Sequence, residues 1–210
     1  RFAFVRTPAW PQAEPVLGPA FAELVEALGE AASEVELGAS FDRAIGLHRI
    51  VMEVEMAHNL HRDYEQGGEK LSPALRALIE RGRTCAAVDY TRALAGAAAL
   101  NAMLDPVFDE YDAILTPAAP GEAPPPDTTG NPAFCTIWTY LGTPAVTLPL
   151  LQGENGLPIG VQLVGRRGGD ARLLRTARWL ADTISRGGGR VTRGAGGPGK
   201  RSRTRKGRSS

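Results

Sequence analysis

Apolar residues along this chain fall into short unbroken runs and longer stretches with helical spacing. Phe2-Ala3-Phe4-Val5 is such a run, closed by Thr7-Pro8 and Trp10-Pro11, and it predicts a short buried strand. After Pro19, the apolar positions Phe21, Leu24, Val25 and Leu28 recur three and four apart, which predicts a helix ending near Gly29. Val35 and Leu37 predict a second, brief strand. Ile45, Leu47, Val51, Val54 and Leu60 then mark one side of a single longer helix, from about Asp42 to Tyr64, that stops before Gly67-Gly68.

Ser72-Pro73 has the chemistry of a helix start, a hydroxyl to accept a free backbone N–H and a proline for the first turn, and predicts a helix to about Arg83. A further helix is expected from Ala86 to Tyr111, with Pro106 as a kink. Asp112 to Thr116 reads as a buried strand, and the proline-rich stretch from Ala118 to Pro132 as a long loop of the kind that carries function. Ala133 to Leu141 predicts a short helix stopped by Gly142. Strands at Pro144–Leu151 and Ile159–Val164 flank the turn Gln152-Gly153-Glu154-Asn155-Gly156 and predict a hairpin. Asp170 caps a last helix, Ala171 to Ser185. Helices interleaved with short apolar strands imply an α/β layered fold.

Composition sharpens this picture in one respect. The 43% apolar and 22% charged residues are ordinary for a soluble globular chain, and they exclude collagen, coiled coil and wholesale disorder. The net charge of +1 conceals an asymmetry: nine basic residues and no acid lie in 186–210, so residues 1–185 carry −8. The expected division is a folded body, 1–185, and a basic Gly/Arg-rich disordered tail, 186–210. Such a tail offers a second reading, a noncatalytic binding module anchored to nucleic acid by charge. No aromatic residue interleaves the charges to stack on bases, so nucleic acid is not the expected partner. No apolar run is long enough for a membrane helix and the first residues do not form a signal peptide, so no membrane partner is expected and the cytoplasm is the expected compartment. Cys85 and Cys135 are expected to be free, buried thiols.

The chemistry of the body is sparse. His48, His58 and His61 fall on one predicted helix with Glu55, but no second histidine-bearing element exists to complete a metal site, so no metal and no cofactor are expected. Ser33, Ser40, Ser72 and Ser185 are the serines of residues 1–185, none within Gly-x-Ser-x-Gly. Cys135 begins a predicted helix, where the dipole lowers a thiol pKa; it is either a nucleophile or a packed cysteine. No glycine-rich phosphate loop precedes a helix.

The run from Asn131 to Pro149 (NPAFCTIWTYLGTPAVTLP), followed by Gly156 to Gly165 (GLPIGVQLVG), resembles the C-terminal half of the amidase signature family. The strand ending in Thr116-Pro117, the proline-rich loop and Asp170-Ala171-Arg172-Leu173-Leu174 at the last helix extend that resemblance over roughly residues 1 to 182. It implies a mixed β-sheet covered by helices, and hydrolysis of carboxylic amide C–N bonds by a Ser, cis-Ser, Lys triad. That triad has no counterpart here, since Lys70, Lys200 and Lys206 are the only lysines and the body has no Gly/Ser-rich stretch. No catalytic residue is therefore assigned, and the expected species is an amidase fragment inactive alone. The resemblance places Thr116, Phe134, Thr136 and Trp138 toward a pocket for a small-molecule amide. It allows a homodimer, and it admits a second identity as the A subunit of a tRNA-dependent amidotransferase.

Overall fold

The computed structural model describes residues 1–186, so the expectation of a disordered tail lies outside the described residues. Five strands form one mixed sheet: β1 (Phe2–Phe4), β2 (Ala32–Glu34), β3 (Ala113–Pro117), β4 (Ala145–Gln152) and β5 (Pro158–Val164), in the spatial order β2-β1-β3-β5-β4. β1 lies parallel to β2 and β3, while β5 runs antiparallel to β3 and β4. Seven α-helices cover it: α1 (Leu17–Leu28), α2 (Ala44–Asn59), α3 (His61–Gly67), α4 (Pro73–Thr84), α5 (Ala87–Glu110), α6 (Ala133–Leu141) and α7 (Asp170–Arg186).

The sheet divides two apolar layers because side chains alternate along each strand. Phe2, Phe4, Leu115, Val161 and Leu163 face α1 and α7, meeting Leu17, Phe21 and Leu24 on one and Leu173, Ala177 and Leu180 on the other. Ala3, Val5, Ile114 and Val164 face the opposite way, onto Leu100 and Leu104 of α5 and Ile137, Trp138 and Leu141 of α6. Where α2 crosses α4, Gly82 lies so close that a Cβ placed there would stand 1.9 Å from the Glu53 carbonyl oxygen. The neighbouring Glu53 carboxylate, 8% exposed as a residue, accepts from Arg81 Nε at 2.8 Å and so does not lie unpaired between the helices.

Three expectations need correction. The second strand begins at Ala32 rather than Val35, because its pairing register runs from Phe2–Ala32 to Phe4–Glu34 and Val35 N–H makes the closing bond to the Phe4 carbonyl at 2.8 Å. Val35 and Leu37 instead pack on the second apolar layer. The single helix expected over 42–64 is three pieces, a 3-10 turn at Ala39–Arg43, then α2 and α3; at Leu60 the backbone leaves helical geometry (φ −99°, ψ 12°). His61 is thereby separated from His48 and His58, and among the described residues no three His, Cys, Asp or Glu side chains are gathered to hold a metal. Both thiols are free, yet neither is buried: Cys85 is half-buried and Cys135 exposed.

β4 is the longer of the sheet's two edge strands, β2 being the other. Val146, Leu148 and Leu150 pack on the first layer, while Ala145, Thr147 and Pro149 are exposed on the other face. Pro149 sits where a missing N–H is tolerated, on a strand paired on one side only. No helix among the described residues is long and apolar enough to cross a membrane.

Candidate functional site

The three parallel strands end at one rim of the sheet, the place where α/β folds gather ligands. At this rim β3 gives way to the proline-rich loop, whose first residues are held in place: Ala118 N–H bonds the Gly160 carbonyl at 3.0 Å, and Glu14 N–H bonds the Pro120 carbonyl at 2.7 Å. Farther along, Glu122 spans from the loop to the β4–β5 turn, accepting from Asn155 N–H and Leu157 N–H, each at 3.1 Å, and from the Asn155 amide at 2.6 Å. The loop closes on α6 through Asn131, whose Oδ1 accepts from Ala133 N–H at 3.0 Å and whose Nδ2 donates to Gln12 at 2.9 Å. A segment that composition marks as irregular is thus pinned at both ends and in its middle.

Helix α6 ends as its glycine predicts. Gly142 adopts the left-handed conformation (φ 62°, ψ 31°), and Thr143 N–H bonds back to the Trp138 carbonyl at 3.2 Å. The turn sends the chain directly into β4, which fixes α6 beside the strand ends.

On the sheet face toward α6 stands a row of polar side chains, Thr116 on β3, Gln162 on β5 and Thr147 on β4, directly opposite one another in the strand registers. Thr116 is fully buried and its hydroxyl has no hydrogen-bond partner; Gln162 is 2% exposed. Cys135, in the first turn of α6, faces them: its thiol donates to the Ala118 carbonyl at 3.3 Å, and the Gln162 amide nitrogen approaches the sulfur at 3.9 Å. Partial burial pushes the Cys135 thiol up from its ordinary value, opposite to the effect expected of a helix start. In this geometry the thiol serves as a hydrogen-bond donor to the Ala118 carbonyl.

The structure does not bring the four residues singled out from the sequence onto one surface. Thr116 lies in the polar row. Thr136 is half-buried on α6, its hydroxyl returned to the Pro132 carbonyl at 3.1 Å. Phe134 is packed into the first layer, edge-on to Trp10 with centroids 6.4 Å apart. Trp138 is buried in the second layer, its indole N–H unpartnered. Gln162 and Thr147, which join Thr116, were not among those four. The legible signal for Gln162 is a lone amide in the apolar run Ile159 to Val164, since a polar group kept inside a sheet requires a partner or a purpose.

Comparison with known proteins agrees with this architecture. A fatty acid amide hydrolase of Medicago truncatula is 31% identical over 144 residues, covering 62% of this chain and 24% of that protein. The A subunit of the glutamyl-tRNA(Gln) amidotransferase of Thermotoga maritima is 42% identical over 82 residues, covering 36% of this chain and 17% of that protein. A crystal structure of an amidase superposes with a TM-score of 0.76 at 24% identity, over 86% of this chain and 45% of that one. The chain therefore spans less than half the length of each of these proteins. The Amidase family model matches residues 1–174, and on that match the chain belongs to the Amidase family.

Proposed function

We propose that this chain is the C-terminal portion of an amidase signature enzyme that hydrolyses carboxylic amides, and that it supplies a wall of the substrate cleft rather than the nucleophile. The observation that carries this reading is the polar row Thr116–Gln162–Thr147, buried at Thr116 and Gln162 beside Cys135 of α6 and exposed at Thr147 on the edge strand. A fully buried hydroxyl with no partner is a costly feature unless a ligand or another segment completes it. The alcohol and amide groups of this row suit an uncharged amide, which both donates and accepts hydrogen bonds. Thr116, with Cys135 and Thr139 on α6, would border that amide; Thr136 lies at the rim, and Phe134 and Trp138 hold α6 in place from either layer.

The chemistry itself would come from the rest of the amidase domain. A serine would attack the amide carbonyl, a lysine would take its proton through a second serine, and backbone N–H groups would receive the oxyanion. Residues 1–186 hold a single lysine, Lys70, exposed in a 3-10 turn, while Ser72 Oγ is committed to capping α4 through Leu75 N–H at 3.2 Å and Ser185 donates to the Ala181 carbonyl at 2.8 Å.

The test is reconstitution. The 210-residue chain is expected to release no acid or ammonia from simple amides alone, and to support hydrolysis without added metal when combined with the remaining half of an amidase domain. Robust turnover by the chain alone would refute the reading. So would a reconstituted activity that survives loss of the serine in the added half but not Cys135→Ala. A second reading, the A subunit of a tRNA-dependent amidotransferase, is favoured by the 42% identity to the Thermotoga maritima protein. Stable association with the companion subunits of such an enzyme, and transfer of ammonia to a tRNA-bound acyl group, would separate the two.

A further inference from the structure

A groove of about 540 Å³ runs between α2, α5 and the C-terminal end of α6, within the volume range of small-molecule sites. Its middle is apolar, built from Val51, Met52 and Met56 of α2 and Leu94, Ala97 and Ala98 of α5. Its ends differ in charge. Helices α2 and α5 run antiparallel here, since Tyr90 donates to Glu55 at 3.4 Å near one end, while Leu47 reaches Gly96 farther along α5. Glu55 and Asn59 therefore mark one end of the groove. His48, Asn101 and Arg167 mark the other, with Arg167 lying beside Gly142.

The two ends are not equivalent in what they leave free. Arg167 has neither an ion pair nor a hydrogen bond among the described residues, so its planar fork of donors is available for a carboxylate. Asn101 is occupied, donating to the Leu141 carbonyl at 2.8 Å and the Ala97 carbonyl at 3.1 Å, and closes that end. At the far end the Glu55 carboxylate receives one weak bond from Tyr90 and retains acceptor capacity. From His48 to Glu55 the rise along α2 is about 10 Å. Between them the methionine side chains present flexible, polarizable walls that adjust to an aliphatic chain.

We propose that this groove binds an extended aliphatic molecule with a carboxylate at one end, held by Arg167, and an amine at the other, held by Glu55. A simple fatty acid would leave Glu55 facing methyl groups, and an alkylamine would leave Arg167 unpaired, so the doubly charged ligand is the one that both ends select. Ligand capture in the groove is independent of amide hydrolysis and is read separately from it.

The test uses the full chain and its three methionines. Met52 and Met56 line the groove, whereas Met103 is 44% exposed elsewhere on α5 and serves as an internal reference. Titration with 8-aminooctanoate, followed by the methionine methyl resonances, is expected to move Met52 and Met56 saturably while Met103 stays fixed. Octanoate and octylamine should each bind at least about tenfold more weakly, as should 8-aminooctanoate to Arg167→Gln or Glu55→Gln, the size expected for losing one charge-assisted bond. Unmoved Met52 and Met56, movement shared equally by Met103, octanoate or octylamine binding as tightly as the amino acid, or indifference to both substitutions would each overturn the proposal.

Discussion

Thr116 and Gly82 are two residues whose surroundings make opposite predictions for a small change. The Thr116 hydroxyl is buried without a partner, so Thr116→Val keeps the shape and removes an unsatisfied group. The substitution is expected to leave unfolding stability unchanged or raise it by about 1 kcal/mol, while lowering the activity of the reconstituted enzyme. Urea unfolding and steady-state rates measured on the same variant check both halves; a variant both destabilised and fully active would remove Thr116 from the site. At Gly82 there is no room for even one carbon against the Glu53 backbone, and the obstacle is main chain rather than a side chain that can swing away. Gly82→Ala is expected to force α4 off α2 and to cost about 1–3 kcal/mol, read as a lower urea midpoint.

At the scale of elements, the start of β3 is tied to α7 by charge. Asp112 Oδ1 accepts from Arg172 at 2.7 Å. The Arg172 hydrogen bond holds the Asp112 carboxyl below its ordinary value. A carboxylate whose folded pKa is depressed adds stability above the unfolded value, about 4, and loses it as pH falls through the lower folded value. The pair is largely exposed, so the contribution is small and weakens with salt. Melting temperatures measured from pH 5 to pH 2 should fall more gently in Asp112→Asn than in the unaltered chain, with the difference shrinking in high salt. Parallel acid curves would show that the pair contributes nothing.

For the molecule as a whole, the dominant feature is the free edge of β4. Eight residues, Ala145–Gln152, are paired with β5 on one side only, and none of them carries a charge. Such an edge is a template for pairing with another chain unless it is blunted or covered. The isolated chain is accordingly expected to self-associate. Ala145→Lys, which places a charge on an exposed edge position, should shift its light-scattering mass toward the monomer. A wild-type chain that stays monomeric at high concentration would mean that Pro149 and the β-bulge between Leu148 and Leu151 already suffice to protect the edge.

Elements set by local chemistry are legible in the order of residues. Ser72-Pro73 announced α4, Gly142 ended α6, the apolar run before Pro117 was β3, and two such runs around a Gly/Asn turn paired as β4 and β5. The run from Asn131 to Gly165 likewise carried the family, because many short features at fixed spacing are jointly specific. The remaining features depend on contacts between segments distant in the chain. Apolar periodicity reports which side of a segment is packed, and so could neither place β2 at Ala32–Glu34, a strand set by pairing with β1, nor detect the break at Leu60. It also could not gather the candidate site. Thr116, Gln162 and Thr147 are neighbours only through strand register, and Phe134 and Trp138, four apart on a short helix, are drawn into opposite apolar layers because α6 is wedged at the sheet's rim between them.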